Sequence, residues 1–245
     1  MRHVDLCSGI GGFALGFEWA QLSNPVLFCD SEEWCRKVLR KHWTDVPILN
    51  DVKELANDPT QIPDCDILTA GYPCQPFSLA SPKRKGAEDP RHLWPYLLKI
   101  VTSKRPTWCV FENVYGHVSM GLDTVLNDLE TQGYSARTFN VPALGVDANH
   151  KRERLWIVAN SNDSGNRTSK HESVINGEET HQGWNRQPLN RTGGLGKNGR
   201  WKWEPEPSVG RVANGVPRRM DRIRGLGNAI VPQIAMQIGL AIKEM

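Results

Sequence analysis

The sequence predicts an α/β fold in which a mostly parallel β-sheet carries helices on both faces. Short apolar runs, typical of buried strands, alternate along the first 160 residues with longer segments of helical periodicity. A length of 245 residues suits one large domain, or one large and one small domain. The apolar fraction of 39% and the charged fraction of 23% are those of a soluble globular protein.

The first strand, over residues 2–7, leads into a glycine-rich turn at residues 8–13 and a helix to about Leu22. This is how a nucleotide-binding βα unit begins, because glycine lets the backbone approach a ligand and the helix N-terminus faces it. A second strand, over residues 26–30, ends in an acid at the spacing where such folds bind a ribose hydroxyl. A helix N-cap is the alternative role for that acid, Asp30.

The alternation continues along the chain, with Asp51 entering a short helical stretch. We expect further strands at about residues 66–70, 107–111, 135–141 and 154–159, and helices at about 32–42, 92–103, 122–132 and 232–243. Pro232 suits the first turn of the last helix.

A stiff loop carrying Cys74 follows the strand at residues 66–70. Gly71 and Pro73 end that strand, and Pro73 and Pro76 bracket Cys74 and Gln75. Because proline fixes φ and lacks an N–H, the segment can continue neither a helix nor a central strand. A small buried cysteine in a turn is the alternative. The flanking prolines and the basic loop that follows, up to residue 91, favour a nucleophile.

Two further groups reach the same predicted sheet edge. Glu112 stands at the end of one strand, and Arg152 and Arg154 stand at the start of another. Each has a structural alternative, because Glu112 could cap a helix and the arginines could be charges at the sheet edge. Their arrival at one edge together with Cys74 and the glycine turn favours an active site.

Charge and cysteine content narrow the function classes. The net charge is only +3, but residues 160–230 hold twelve Lys and Arg against seven Asp and Glu, which is compatible with a polyanion partner. The six cysteines form no Cys-x-x-Cys pair and lie near no histidine at zinc spacing, so we expect reduced thiols and no metal. No apolar run approaches membrane-spanning length, and no signal peptide is recognisable.

Taken together, the motifs resemble those of DNA cytosine methyltransferases that methylate carbon 5 with S-adenosylmethionine. The matches run in the family's order and are residues 5–13 (methyl-donor turn), 73–78 (nucleophile), 83–86 with Asp89 and Arg91 (mobile loop), 112–114 (acid), 152–154 (arginine) and 227–232 (closing motif). The resemblance implies a Rossmann-like methyltransferase fold, with a catalytic domain at residues 1–160 and 211–245. The small, irregular segment 161–210 would be the target-recognition region.

The resemblance also implies roles for individual residues. Cys74 would be the nucleophile, Glu112 would donate to ring nitrogen 3, Arg154 would hold the carbonyl oxygen, and Arg152 would steady the nucleophile loop or a phosphate. The donor pocket would comprise Cys7, Gly9, Gly11, Gly12, Phe13, Asp30, Asp51, Val52, Asn228 and Val231. Contacts to DNA would come from Ser78, Ser81, Lys83, Arg84, Lys85 and Arg91.

The expected substrate is double-stranded DNA, with the target base flipped out of the helix. A monomer in the cytoplasm of a prokaryotic cell, or one encoded by a phage, is expected, and a cognate restriction enzyme is a candidate partner. Two alternatives stay open. One is an enzyme of the same fold acting on RNA, against which Ser78 and the basic recognition segment argue. The other is a degenerate relative that only binds DNA, against which Cys74, Glu112 and Arg154 argue.

Overall fold

A computed structural model describes residues 1–73, 92–118, 121–148, 152–161 and 227–245. These residues form one seven-stranded sheet in the order β3-β2-β1-β4-β5-β7-β6. All pairings are parallel except that β7 runs antiparallel to both of its neighbours. The strands are β1 (Arg2–Leu6), β2 (Asn24–Cys29), β3 (Ile48–Leu49), β4 (Ile67–Ala70), β5 (Trp108–Val114), β6 (Ser135–Pro142) and β7 (Glu153–Asn160). The predicted α/β class with a mostly parallel sheet is confirmed.

Six α-helices within the described ranges flank the sheet, in the places where helical periodicity predicted them. They are α1 (Gly12–Trp19), α2 (Glu33–His42), α3 (Val52–Asn57), α4 (Trp94–Lys104), α5 (Leu122–Thr131) and α6 (Pro232–Lys243). Helix α1 is shorter than the expected segment to Leu22. Gln21 adopts a left-handed φ of +53°, and the amide of Leu22 returns to the carbonyl of Phe17 (3.0 Å), which is a Schellman ending.

The strand that carries Glu112 is longer than expected. Strand β5 continues to Val114 because β7 pairs with it along its whole length, with Val114 opposite Arg154. Strand β7 follows β6 through a connection that contains the 3₁₀ helix Ala143–Val146, and this connection reverses the chain direction. The start of β7 therefore lies at the same sheet edge as the ends of β4 and β5.

Each face of the sheet has its own core. On one face, α3, α4 and α5 contribute Leu55, Leu97 and Leu129, which pack with strand residues such as Leu68 and Phe111. On the other face, α1 and α6 pack against a second set of strand side chains. The members of this second core include Phe13, Phe17, Ile67, Trp108, Val110, Trp156, Ile234 and Ala235. Because both faces are covered, β1, β4 and β5 are almost wholly buried.

Helices α1 and α6 approach each other at glycine positions. A Cβ on Gly12 would lie 2.7 Å from the Ile230 carbonyl oxygen, and one on Gly239 would lie 3.0 Å from the Cβ of Ala20. A Cβ on Gly16 would overlap the Pro232 carbonyl oxygen. This close packing holds the C-terminal segment beside the glycine turn that precedes α1.

We expect Gly16→Ala to lower the free energy of unfolding by about 1–3 kcal/mol, the usual cost of overpacking. The loss should appear although alanine is about 1 kcal/mol better than glycine inside a helix. Urea denaturation followed by circular dichroism measures it. Gly145→Ala is the control, because a Cβ there meets nothing within 4 Å. Equal stability of the two variants would contradict the close packing of α1 on α6.

Candidate active site

The turn after β1 places three residues in left-handed conformations at the carboxyl end of the sheet. Cys7, Gly9 and Gly11 have φ values of +51°, +55° and +84°. Ser8 connects this turn to β2, because its amide donates to the carbonyl of Cys29 (3.0 Å) and its Oγ accepts from the Cys29 amide (3.2 Å). The turn therefore folds over the end of β2, where Asp30 follows.

Asp30 joins the turn to the start of the next helix. Its Oδ2 accepts from the Gly9 amide (2.7 Å) and its Oδ1 accepts from the Glu32 amide (2.8 Å). Burial raises the pKa of Asp30, and the hydrogen bonds from Glu32 and Gly9 oppose that rise. The N-cap of α2 is Glu32 and not Asp30, so the capping role that the sequence left open for Asp30 is not observed. One carboxylate oxygen of Asp30 binds the amide of that N-cap residue, and the other orients the glycine turn.

The three glycines of the turn have different surroundings. A Cβ on Gly9 would stand in open space, whereas one on Gly11 would lie 2.5 Å from the indole of Trp43, and Gly12 packs on Ile230. Phe13 places its side chain in the core, in ring contact with Phe17 and Trp156. Of these predicted donor-pocket residues, Gly9 is therefore the one beside an opening, and the others shape the wall through packing.

Asp51 and Val52 lie next to Asp30 at the same edge. The Asp30 amide donates to the Leu49 carbonyl (3.1 Å) at the end of β3, and Asp51 follows two residues later. Asp51 Oδ1 accepts from the amide of Lys53 (2.8 Å) and caps α3, while the side chain of Val52 is buried. Two carboxyl groups therefore flank the opening at Gly9 from neighbouring strand ends.

The closing segment reaches this edge through Arg152. Its Nη1 donates to the Gly227 carbonyl (2.8 Å) and its Nη2 donates to the Ala229 carbonyl (2.7 Å). The sequence interpretation placed Arg152 on the nucleophile loop or a phosphate; in the structure its guanidinium binds the backbone around Asn228. Val231 follows as the N-cap residue of α6.

Glu112 and Arg154 form a shielded ion pair at the ends of the antiparallel strands. Glu112 Oε1 lies 3.0 Å from Arg154 Nε, and Glu112 is only 8% exposed. Burial raises the pKa of Glu112 to about 7, although the charges of Arg154 and Arg152 lower it. At neutral pH this carboxyl group can therefore either hold or release a proton, as a general acid requires.

The predicted nucleophile and DNA contacts lie outside the described residues. These are Cys74, Ser78, Ser81, Lys83, Arg84, Lys85 and Arg91, and the recognition region beyond Ser161 lies outside them as well. The structure does describe the approach to Cys74. Strand β4 pairs Ala70 with Phe111, and Gly71 to Pro73 follow at the edge where Glu112 stands.

Sequence reasoning missed a buried polar chain beneath the glycine turn. His3 Nε2 lies 2.8 Å from Thr69 Oγ1, and Thr69 Oγ1 donates to Asp5 Oδ1 (2.8 Å). Burial lowers the pKa of His3 to about 3 and raises that of Asp5 to about 8, so both side chains are neutral at pH 7. Polar residues at alternate positions of an apolar strand, as at 3 and 5, were the signal that could have indicated it.

A comparison with protein families agrees with this geometry. The family described as C-5 cytosine-specific DNA methylase matches residues 1–192. The chain belongs to the C-5 cytosine-specific DNA methylase family. This match covers the donor turn, the strand leading to Cys74, and the Glu112–Arg154 pair.

Two bacterial relatives illustrate the similarity of this chain to known members of the family. Type II methyltransferase M.NgoFVII of Neisseria gonorrhoeae is 36% identical over 172 residues, covering 67% of this chain and 45% of the relative. M.HhaI of Haemophilus parahaemolyticus is 34% identical over 168 residues, covering 66% and 50%. The chain therefore spans about half the length of the curated relatives it matches.

The fold is shared with solved structures at lower identity. A DNMT2 of Spodoptera frugiperda superposes with a TM-score of 0.59 at 21% identity, covering 71% of this chain and 54% of that chain. The Dnmt2 methyltransferase of S. pombe gives a TM-score of 0.58 at 21% identity, covering 70% and 57%. Within the described residues, no cluster of His, Cys, Asp or Glu could hold a metal ion, and no helix could span a membrane.

We expect Glu112 to titrate near pH 7, and we expect Arg154→Gln to raise its pKa further. Removing the guanidinium removes the positive charge that favours the carboxylate, while the burial that favours the protonated acid remains. ¹³C NMR of labelled glutamate carboxyls measures both values, with Glu112→Gln assigning the resonance. Arg137→Gln on β6 is the control and should leave the titration unchanged. A Glu112 midpoint below pH 5 would contradict the burial argument.

Proposed function

We propose that this methylase transfers the methyl group of S-adenosylmethionine to carbon 5 of cytosine in duplex DNA through a covalent adduct with Cys74. The observation that carries the proposal is the shielded pair of Glu112 and Arg154. It lies on the strand next to β4, whose continuation leads to Cys74. Family membership supports the reaction class.

The edge formed by β1, β2 and β3 fits the methyl donor. A Cβ on Gly9 would meet nothing within 4 Å, so the Gly9 backbone borders open space. Asp30 and Asp51 follow the two neighbouring strands, β2 and β3. We assign the ribose hydroxyls to Asp30 and the adenine amino group to Asp51, with Cys7, Val52 and Asn228 completing the wall. S-adenosylmethionine supplies a methyl group on a sulfonium centre, which a carbon nucleophile can accept.

In this proposal, Cys74 makes the cytosine ring nucleophilic. Carbon 5 of cytosine attacks a sulfonium methyl poorly, but addition of the thiolate to carbon 6 makes carbon 5 enamine-like. A thiolate suits this step, because it is strongly nucleophilic and also a good leaving group. Carbon 5 would take the methyl group as the donor's sulfur–methyl bond breaks, which would leave a neutral thioether. A base would then remove the carbon 5 proton, and the electron pair of that C–H bond would re-form the ring double bond and expel the Cys74 thiolate.

Glu112 and Arg154 would offset the charge that develops during addition. With a pKa raised to about 7, Glu112 can give a proton to ring nitrogen 3 at neutral pH. Arg154, which is already paired with Glu112, would donate to the carbonyl oxygen of the base. Arg152 would act indirectly, since its guanidinium holds the closing segment around Asn228.

Several observations favour DNA over RNA as the substrate. The relatives at 31–36% identity are named Type II methyltransferases or methylases, and the family description names DNA. A base inside a duplex must be flipped out before carbon 6 is accessible. Ser78, Ser81, Lys83, Arg84, Lys85 and Arg91 are the proposed DNA contacts.

The proposed domain organisation follows the positions of the motifs along the chain. Residues 1–160 and 211–245 would form the catalytic domain, and 161–210 a small recognition region. We propose that the protein acts as a monomer in the cytoplasm of a prokaryotic cell, with a cognate restriction enzyme as a candidate partner. The names of the bacterial relatives support this setting.

We expect labelled methyl transfer to duplex DNA, and we expect Cys74→Ser to reduce it by at least a thousandfold. Serine lacks the thiolate needed for addition at neutral pH. Cys65→Ser is the matched control, because Cys65 precedes β4 at the opposite sheet edge and its pKa is raised to about 11 by burial. Transfer that persists in Cys74→Ser would reject the covalent mechanism. Transfer to RNA alone would replace the DNA assignment.

We expect Asp30→Ala to weaken S-adenosylmethionine binding at least tenfold in isothermal titration calorimetry. The change removes the acceptor assigned to the ribose and the hydrogen bond that orients the Gly9 amide. Asp58→Ala is the matched control, because Asp58 also accepts from the amide two residues later, that of Thr60 (3.3 Å), but is exposed on a remote turn. Unchanged affinity in Asp30→Ala would contradict the donor pocket.

A further inference from the structure

A buried contact joins the strand that leads to Cys74 with the strand that carries Glu112. The Tyr72 hydroxyl hydrogen-bonds to Nε2 of His117 (3.1 Å). Tyr72 stands two residues before Cys74, and His117 ends the 3₁₀ helix Tyr115–His117 that directly follows β5. The two side chains are 4% and 1% exposed, so water does not compete for this bond.

Aromatic packing gives the Tyr72 ring a fixed orientation. Its centroid lies 6.0 Å from that of Trp94, 6.4 Å from that of Phe111 and 5.9 Å from that of His117. The Phe111 and His117 rings meet it edge to face, an arrangement that aromatic pairs prefer. Trp94 is held in turn by α5, because its Nε1 donates to Asp128 Oδ2 (2.8 Å).

Burial keeps the histidine of this contact uncharged. Burial, with a smaller contribution from the charge of His92, lowers the pKa of His117 to about 4. His117 is therefore neutral at pH 7, and the bond carries no buried charge that would need a counter-ion. His92 is the first described residue after position 91. His117 therefore interacts with a residue on each side of the segment that holds Cys74, namely Tyr72 before it and His92 after it.

We propose that Tyr72 and His117 are a positioning pair that fixes the end of β4 relative to the end of β5, and thereby sets Cys74 against Glu112. This inference rests on the proposed function and adds to it two residues outside the motif roles. The physical reason is geometric. A displacement of about 1 Å between reacting groups can cost about a hundredfold in rate. In the described structure, neither Gly71 nor Pro73, the residues on either side of Tyr72, makes a comparable side-chain bond to β5.

The test compares Tyr72→Phe with Tyr134→Phe. Tyr134 is also a buried tyrosine of the same core, but its hydroxyl donates to the Pro106 carbonyl (2.6 Å) at the opposite end of β5. Both variants remove one buried tyrosine hydroxyl together with its hydrogen bonding, so a fall in melting temperature is expected for both. In single-turnover methyl transfer to duplex DNA, Tyr72→Phe should be about tenfold slower, with unchanged donor affinity. Tyr134→Phe should react at the wild-type rate.

A double-mutant cycle with His117→Leu separates positioning from general damage. If the hydroxyl and the imidazole act as one unit, the double variant should be no slower than the slower single variant. Multiplicative rate losses, or equal rates in Tyr72→Phe and Tyr134→Phe, would overturn the inference while leaving the proposed function intact.

Hydrogen exchange provides a readout that does not need activity. Amides in peptides spanning residues 67–73 and 112–118 should exchange faster in Tyr72→Phe than in Tyr134→Phe. If the wild-type protein transferred no methyl group, the proposed function would fail, and this comparison alone would decide the positioning role. Equal exchange in the two variants would then reject it.

Discussion

Strands β5 and β7 lie side by side in opposite directions, from Trp108 paired with Asn160 to Val114 paired with Arg154. Because of this reversal, residues at the start of β7 stand beside residues at the end of β5. Glu112 and Arg154 can therefore meet at 3.0 Å, and burial beside the guanidinium gives Glu112 a pKa of about 7. In a parallel arrangement the same arginine would lie at the opposite edge, and its charge could not act on Glu112 or on a substrate there.

A second constraint joins the two ends of the described chain. Gly12 and Gly16 on α1 permit close contact with Ile230 and with the first turn of α6. Arg152 then binds the carbonyls around Asn228, so the start of β7 and the C-terminal segment support each other at the edge beside the glycine turn. The proposed donor pocket consequently depends on contacts across more than 200 residues of sequence, which tertiary packing alone can supply.

The sheet edge that holds the candidate site is built on neutral polar groups as well as charged ones. His3, Thr69 and Asp5 form a buried chain under the glycine turn, and Tyr72 and His117 form a second contact near the path to Cys74. In both, burial holds histidine neutral, which avoids an uncompensated charge in the core. Each of these two contacts joins neighbouring strands through side chains, in addition to the backbone hydrogen bonds between the strands. Each contact therefore restricts the relative movement of the strands at the edge where the chemistry is proposed.

The sequence by itself determined the fold class, most of its elements and the family to which the chain belongs. Apolar runs and helical periodicity located the helices and every described strand except β3, which is only two residues long. Glycines, prolines and acids at strand ends indicated the edge that holds the candidate site. These signals are local, because side-chain periodicity and turn residues act over a few positions. The tertiary structure decided the direction of β7, the partners of Arg152 and the different roles of Gly9, Gly11 and Gly12. It also decided the protonation of Glu112. The pKa of this carboxyl group is set by its burial and by the guanidinium of Arg154, which is distant in sequence, and neither can be read from the residues around position 112.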